Sequence, residues 1–180
     1  MVVLPDKEYA QVIEVIVQLG NDFTYIPNYG NVGDKLIHAG EDRLFKFLGV
    51  APKLGSLQHI RSYTGTVVLG GGGGWEPCYR HLHLPVRLLQ CKRLVILPSS
   101  FSLDPASLNP EIDIIAFRRD GFRSREACPS ALLAPDMSLF QAEVRENPVS
   151  GNLAIFRRDG ESCLNRPEVT SSFDWLRLRA

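Results

Sequence analysis

The sequence has no apolar run near the ~20 residues that a membrane span needs, no surplus of either charge and no closely paired cysteines. Each absence removes a class of protein. Met1-Val2-Val3-Leu4-Pro5-Asp6 offers neither a basic opening nor a long apolar stretch, so neither a spanning helix nor a secretory leader is expected. With 20 basic and 20 acidic residues, no global field draws the chain to nucleic acid or to an anionic membrane. Any anion site must therefore be local. The four cysteines, Cys78, Cys91, Cys128 and Cys163, are far apart with no C-x-x-C pair, which argues against a zinc site or a disulfide framework. They read as reduced thiols in a soluble, cytoplasmic protein. Internal repeats of 20 to 50 residues are missing too, which excludes solenoids.

What is present is a chain of 180 residues, 44% hydrophobic, long enough for one sizeable core or for one domain and a piece of another. Its most unusual stretch is Thr66-Val67-Val68-Leu69 followed at once by Gly70-Gly71-Gly72-Gly73-Gly74-Trp75. Four residues suited to a buried strand lead into five glycines, backbone bare enough to bend through positive φ or lie directly against a ligand. A dinucleotide fingerprint is excluded, because a G-x-G-x-x-G reading from Gly70 needs a glycine where Trp75 stands. The plain alternative is a tight crossover in which the glycines only let a helix approach the sheet.

Along the chain, Tyr9, Val12, Ile13 and Ile16 recur at helical spacing over Lys7 to Leu19, with Asp6 placed to cap the start and Gly20 to end it. Phe23 to Ile26 reads as a short strand, and Pro27 to Asp34 as a polar loop punctuated by glycine. Leu36, Ile37, Gly40, Leu44, Phe45 and Leu48 then give a helix with Asp34 as its expected N-cap. A short strand is expected near Lys53 to Leu57, an irregular stretch from Trp75 to His83, and a helix from Pro85 to Gln90 with proline in its first turn. Leu94 to Leu97 is a buried strand expected to stop at Pro98-Ser99-Ser100-Phe101. Ile112 to Phe117 is another strand, Arg123 to Cys128 a short helix and Ala131 to Ala134 a weaker strand before Pro135-Asp136. Asn147 to Gly151 looks like a linker, and Leu153 to Phe156 like a new strand ending in Arg157-Arg158-Asp159.

This alternation predicts an α/β fold, a Rossmann-like, mainly parallel sheet with helices on both faces. The expected division is an α/β domain over residues 1–150 and a short segment over 151–180. Ligands of such sheets bind outside the carboxyl ends of the strands. The unusual motifs all follow predicted strands, so they are expected to share one rim.

In order and spacing, Asn28-Tyr29-Gly30-Asn31-Val32-Gly33-Asp34, the strand into Gly70–Trp75, Leu97-Pro98-Ser99-Ser100-Phe101, Arg119-Asp120 with Ser124, and Ala134-Pro135-Asp136 resemble the polysaccharide pyruvyl transferase family. The resemblance covers roughly residues 20 to 160. It implies one half of a glycosyltransferase-B-like architecture, in which phosphoenolpyruvate, a donor substrate rather than a cofactor, gives its three-carbon unit to two sugar hydroxyls. A pyruvate ketal forms and phosphate leaves, as in exopolysaccharide or surface-glycan synthesis. Two departures stand out. Ser99 takes the place of a glutamine usual in the family, and the chain is about half the family's length, so it looks like the N-terminal half alone.

Ketal transfer needs a cationic cradle, an acid for the methylene carbon and a base for the incoming hydroxyl. Arg157 and Arg158 are the first candidates for the cradle, then Arg80 and Arg119, with surface arginines or pairs to Asp120 and Asp159 as the alternative. Asn31, Gly33 and Asp34 are candidates for touching sugar or donor oxygens, Asp34 also as a catalytic group, although a capping aspartate alone would explain it. Gly71, Gly72, Gly73, Trp75, Ser99 and Ser100 are candidate substrate contacts. His81 and His83 are candidate acid or base, able to share a strand face, or else a hydrogen-bonded pair too small to hold a metal. Glu76 is a further carboxylate, His38 reads as structural, and Asp136 as a turn cap.

The expected ligands are phosphoenolpyruvate and a sugar or glycan acceptor, with no nucleic acid and no metal. Competing with the enzyme are a non-catalytic sugar- or phosphate-binding half-domain that needs a partner chain, and a fragment of a nucleotide-sugar glycosyltransferase. Phe173, Trp175, Leu176 and Leu178 make the last ten residues apolar enough to pack on the domain or to form a homodimer contact.

Overall fold

The computed structural model describes residues 8–30, 32–75 and 80–141, with backbone alone for Arg80, His81, Leu82, Leu84 and Gln141. Asn31, Glu76, the expected linker 147–151, the strand 153–156, Arg157, Arg158 and the apolar end 171–180 lie outside these residues. The described residues fall within one unit, which closes at Glu143.

Helix α1 spans Ala10–Leu19, its N-cap at Tyr9 and its C-cap at Gly20. It starts later than Asp6 would have it. Strand β1 is Thr24–Ile26 and helix α2 Val32–Leu48. Strands β2 and β3 are Lys53–Leu54 and Thr66–Leu69, with a 3-10 segment over Leu57–Ser62 between them. Next come β4 (Gly72–Trp75), α3 (Arg80–Arg87) and β5 (Arg93–Phe101). The described part ends with β6 (Asp113–Arg118), α4 (Arg123–Ala127), β7 (Leu132–Leu133) and a 3-10 turn over Met137–Gln141.

The seven strands form one sheet in the order β2-β1-β3-β5-β6-β7, with β4 also on β5. Every pairing is parallel. Side chains alternate across a strand, so the apolar runs of β3 and β5 feed two cores. Val68, Val95 and Leu97 meet Val12, Ile16, Leu44 and Phe45 from α1 and α2. Val67, Leu69, Leu94 and Ile96 meet Val86 in α3 and Leu89 just after it, with Cys128 beyond α4. A strand covered on both faces needs no polar side, which is why Leu94 to Leu97 is continuously apolar. Each such side chain contributes about 1.5–3 kcal/mol on full burial. This is the Rossmann-like α/β fold with helices on both faces.

Three expectations change. The glycine run is not wholly a loop: after Gly70 and Gly71 the chain resumes as β4, with Gly72 opposite Ser99 in the register that Leu69 keeps with Ile96. Strand β5 does not stop at Pro98 but runs on to Phe101, long enough to pair with β3 first and β4 next. The β5–β6 register shifts between Ile96 and Ser99, and such an irregularity is where a central strand tolerates a residue without N–H. Helix α3 begins at Arg80, with Pro85 inside it rather than at its start. Among the described residues, no helix is long and apolar enough to cross a membrane.

Candidate functional site

The order of strands reverses between β1 and β3: from β1 the chain crosses to β2 on one side, and from β3 onward it moves to the other. The chain therefore diverges at the carboxyl ends of β1 and β3, and an open α/β sheet leaves its crevice there. Asn28 and Asp34 arrive from the β1 side and Gly70 to Gly72 from the β3 side.

Two glycine positions are dictated by this closeness. A Cβ on Gly71 would collide with the carbonyl of Pro98 and lie 3.4 Å from Glu41 Oε1. Gly72 has φ +126°, a conformation side chains rarely adopt, and a Cβ there would stand 3.1 Å from Asn28 Nδ2 and 3.3 Å from Asp34 Oδ1. The Asn28 amide donates to the Gly71 carbonyl at 3.4 Å. Asp34 is not the cap of α2 but sits in its first turn, where a negative charge is favoured, with its carboxylate against Gly30 and near Gly72. Gly33 lies in the same turn.

Beneath the glycines lies a residue that the sequence reading missed. Glu41, on α2, is 1% exposed. Its Oε1 accepts the Gly71 N–H at 2.6 Å, and its Oε2 accepts the Tyr25 hydroxyl. The Tyr25 oxygen is 2.8 Å from Nδ1 of His38, which also packs against the exposed ring of Tyr29. Burial pushes the Glu41 carboxyl up to about 7, against the pull of the Gly71 and Tyr25 hydrogen bonds and with help from Asp136 and Asp42. The same burial, with the Glu41 charge beside it, drives the Tyr25 hydroxyl far above its usual range, so it stays a donor. Glu41 falls on the inward stripe with Ile37, Leu44 and Phe45, and a carboxylate on a stripe that is otherwise apolar was the available signal.

Further along the rim stands Arg119. Its Nε donates to Ser100 Oγ at 2.8 Å and its Nη1 to Asp136 Oδ2 at 2.5 Å, while Nη2 is 3.8 Å from where a Cβ on Gly73 would be. The Tyr9 hydroxyl donates to the Asp136 carbonyl at 2.7 Å and so ties α1 to the same segment. Asp120 accepts the amide of Ser124 at 2.9 Å as well as its hydroxyl, and the Ser124 hydroxyl receives the Phe101 N–H at 2.7 Å. Burial would raise the Asp120 carboxyl, but the Ser124 and Ser100 hydrogen bonds and the Arg118 charge hold it below the usual carboxylate range. Arg119 also lines a cleft of about 410 Å³ together with Glu8, Gln11, Leu133, Ala134 and Pro135.

The rim thus brings together Gly33, Asp34, Gly71, Gly72, Gly73, Ser100 and Arg119. It does not hold Trp75 or Ser99. Trp75 is 1% exposed, stacked on His83 and tilted against Phe101, a core side chain. Ser99 is buried with its hydroxyl on the Leu97 carbonyl at 2.8 Å. Arg80, His81 and His83 belong to the helix α3, so the strand that the two histidines were expected to share is not formed. His38, read as structural, hydrogen-bonds Tyr25 and so closes the Glu41 network. Among the described residues no group of three His, Cys, Asp or Glu side chains is arranged to hold a metal.

No protein-family model matches the sequence, and no curated protein does. The chain is similar in fold to the crystal structure of an uncharacterized protein from Klebsiella pneumoniae subsp. pneumoniae NTUH-K2044, with a TM-score of 0.61 and 18% identity over 90% of this chain and 68% of that one.

Proposed function

We propose that the rim is one wall of a pyruvyl transferase-like site, which moves the enolpyruvyl unit of phosphoenolpyruvate to two hydroxyls of a glycan acceptor. The observation that carries this reading is the fixed Arg119 guanidinium, held by Ser100 and Asp136 and facing the glycine strand. A planar cation pinned on two sides is suited to bind a carboxylate or phosphate in one orientation. Asp34, near Gly72, is the base for an incoming hydroxyl.

In the reaction the methylene carbon takes a proton, C2 accepts the first sugar oxygen, and phosphate leaves as the second oxygen closes the ketal. Of the two hydroxyl protons released, one balances the new methyl group and the other leaves with phosphate.

The test is phosphate release from phosphoenolpyruvate with a panel of sugar acceptors. Arg119→Ala and Asp34→Asn are each expected to lower it by about 10²-fold or more. Absence of release with every acceptor, from folded protein that still binds sugar in a thermal-shift titration, would overturn the enzyme reading.

A second reading has its own support. Asp136 pairs with the cation, while Asp34 and the buried Glu41 lie against the glycine run, so acidic groups outnumber it along the rim, a balance better suited to hydroxyl groups than to phosphate. It describes a sugar-binding wall without catalysis, for which sugar binding without turnover is the expected result.

A further inference from the structure

Glu41 is a buried carboxylate directly beneath the glycine strand, and no step of the proposed reaction uses it. Its two oxygens are divided between two tasks. Oε1 holds the backbone of Gly71, whose neighbour Gly72 sits against Asn28 and Asp34. Oε2 takes the hydroxyl of Tyr25, and Tyr25 in turn meets His38, whose side chain is 25% exposed. A hydroxyl has a single proton to donate, so while Tyr25 donates to Glu41 the bond from His38 must come from an Nδ1–H.

We infer that Glu41 is the positioning residue of the rim, holding the glycine strand through the Gly71 amide and exchanging its proton with solvent through Tyr25 and His38. On proton uptake, the Tyr25 hydroxyl proton passes to Oε2 and the His38 Nδ1 proton passes to the Tyr25 oxygen. His38 gains one proton from solvent at Nε2, so one proton enters and one is bound at Glu41. The reversed chain leaves Glu41 donating to Tyr25 and Tyr25 donating to His38.

The groups that face this carboxyl are Tyr25 from β1, His38 and Asp42 from its own helix, the Gly71 amide from the glycine run and Asp136 from the segment after β7. Asp136 is itself held by Arg119. Burial, with the two acidic neighbours, places the exchange near pH 7. Proton uptake weakens the acceptor that Gly71 relies on. The position of Gly71 and Gly72 beside Asn28 and Asp34 then responds to pH, whichever ligand the rim takes.

Amide NMR of the full chain tests this without any ligand. The Gly71 resonance is expected to move with a midpoint of about 7, and its exchange with solvent to speed up as pH falls through that value, once corrected for intrinsic exchange. In Glu41→Gln, where an amide oxygen still accepts from Gly71 but cannot titrate, the resonance is expected to stay flat and protected. In Glu41→Ala protection is lost. His38→Gln is expected to retain the titration. A flat Gly71 resonance in the wild type overturns the inference, as does a titration that survives in Glu41→Gln and vanishes in His38→Gln. Should the variants not fold, the carboxyl ¹³C shift of Glu41 in the wild type decides: a midpoint near the ordinary ~4.3 overturns it.

Discussion

At Arg119 the position of a side chain is set by neighbours rather than by its own strand. Ser100 comes from the end of β5 and Asp136 from beyond β7, and both hold the guanidinium from within the same rim. Asp136→Asn removes the charge on one of these bonds, and we expect a loss of about 1–3 kcal/mol in urea unfolding. The loss should shrink at high salt less than for a surface pair, because both side chains are about three-quarters covered. Arg119 was readable from the sequence as a cation after a strand, and Ser100 as a polar residue after another. Their bond was not, since nineteen residues separate them. Trp75 failed in the other direction. An aromatic after glycines reads as a ligand platform, yet its ring fills the core against Phe101 because β4 turns it inward.

At the scale of elements, the glycine run and Pro98 explain one another. Glycine and proline both count against a strand by local preference. Here the long ladder of β5 supplies partners that overrule it, and the Gly71 backbone lies against the Pro98 carbonyl because Gly71 has no side chain to stand in the way. Gly71→Ala places a methyl group into that carbonyl, where backbone cannot yield cheaply. A loss of about 1–3 kcal/mol is expected, measured as a fall in the denaturation midpoint. Gly65→Ala, where a Cβ would meet nothing within 4 Å, serves as the neutral control. The apolar strands β3, β5 and β6 and the helix α2 were legible because burial imposes their period directly. The start of α3 was not, because Pro85 reads as a first-turn residue unless the preceding turn is known.

At the scale of the molecule, Glu41 and Asp120, the shifted carboxylates among the described residues, pull stability in opposite directions with pH. Glu41 has a folded value of about 7, raised from 4.5. Its contribution is therefore fully present below about 4.5 and is lost as pH rises to about 7, a change on the order of 3 kcal/mol. Asp120 has a lowered folded value, so its contribution is present above the ordinary carboxylate range and is lost as pH falls through the folded value. Glu41→Gln should therefore gain on the wild type as pH rises from about 5 to about 8, read as the difference in unfolding free energy. Equal pH dependence of the two proteins over that range would show that Glu41 does not titrate in the folded state.

By itself the sequence determined the fold class, because alternating apolar strands and amphipathic helices leave a doubly covered parallel sheet as the arrangement that buries them all. It also determined which motifs follow strands, and so which end of the sheet they occupy. Only the tertiary structure decided which of these residues meet. Arg119 reaches Ser100 and Asp136, the glycines become a strand, and Glu41 comes to lie beneath Gly71 because strand order and register, not distance along the chain, bring backbone and side chains together.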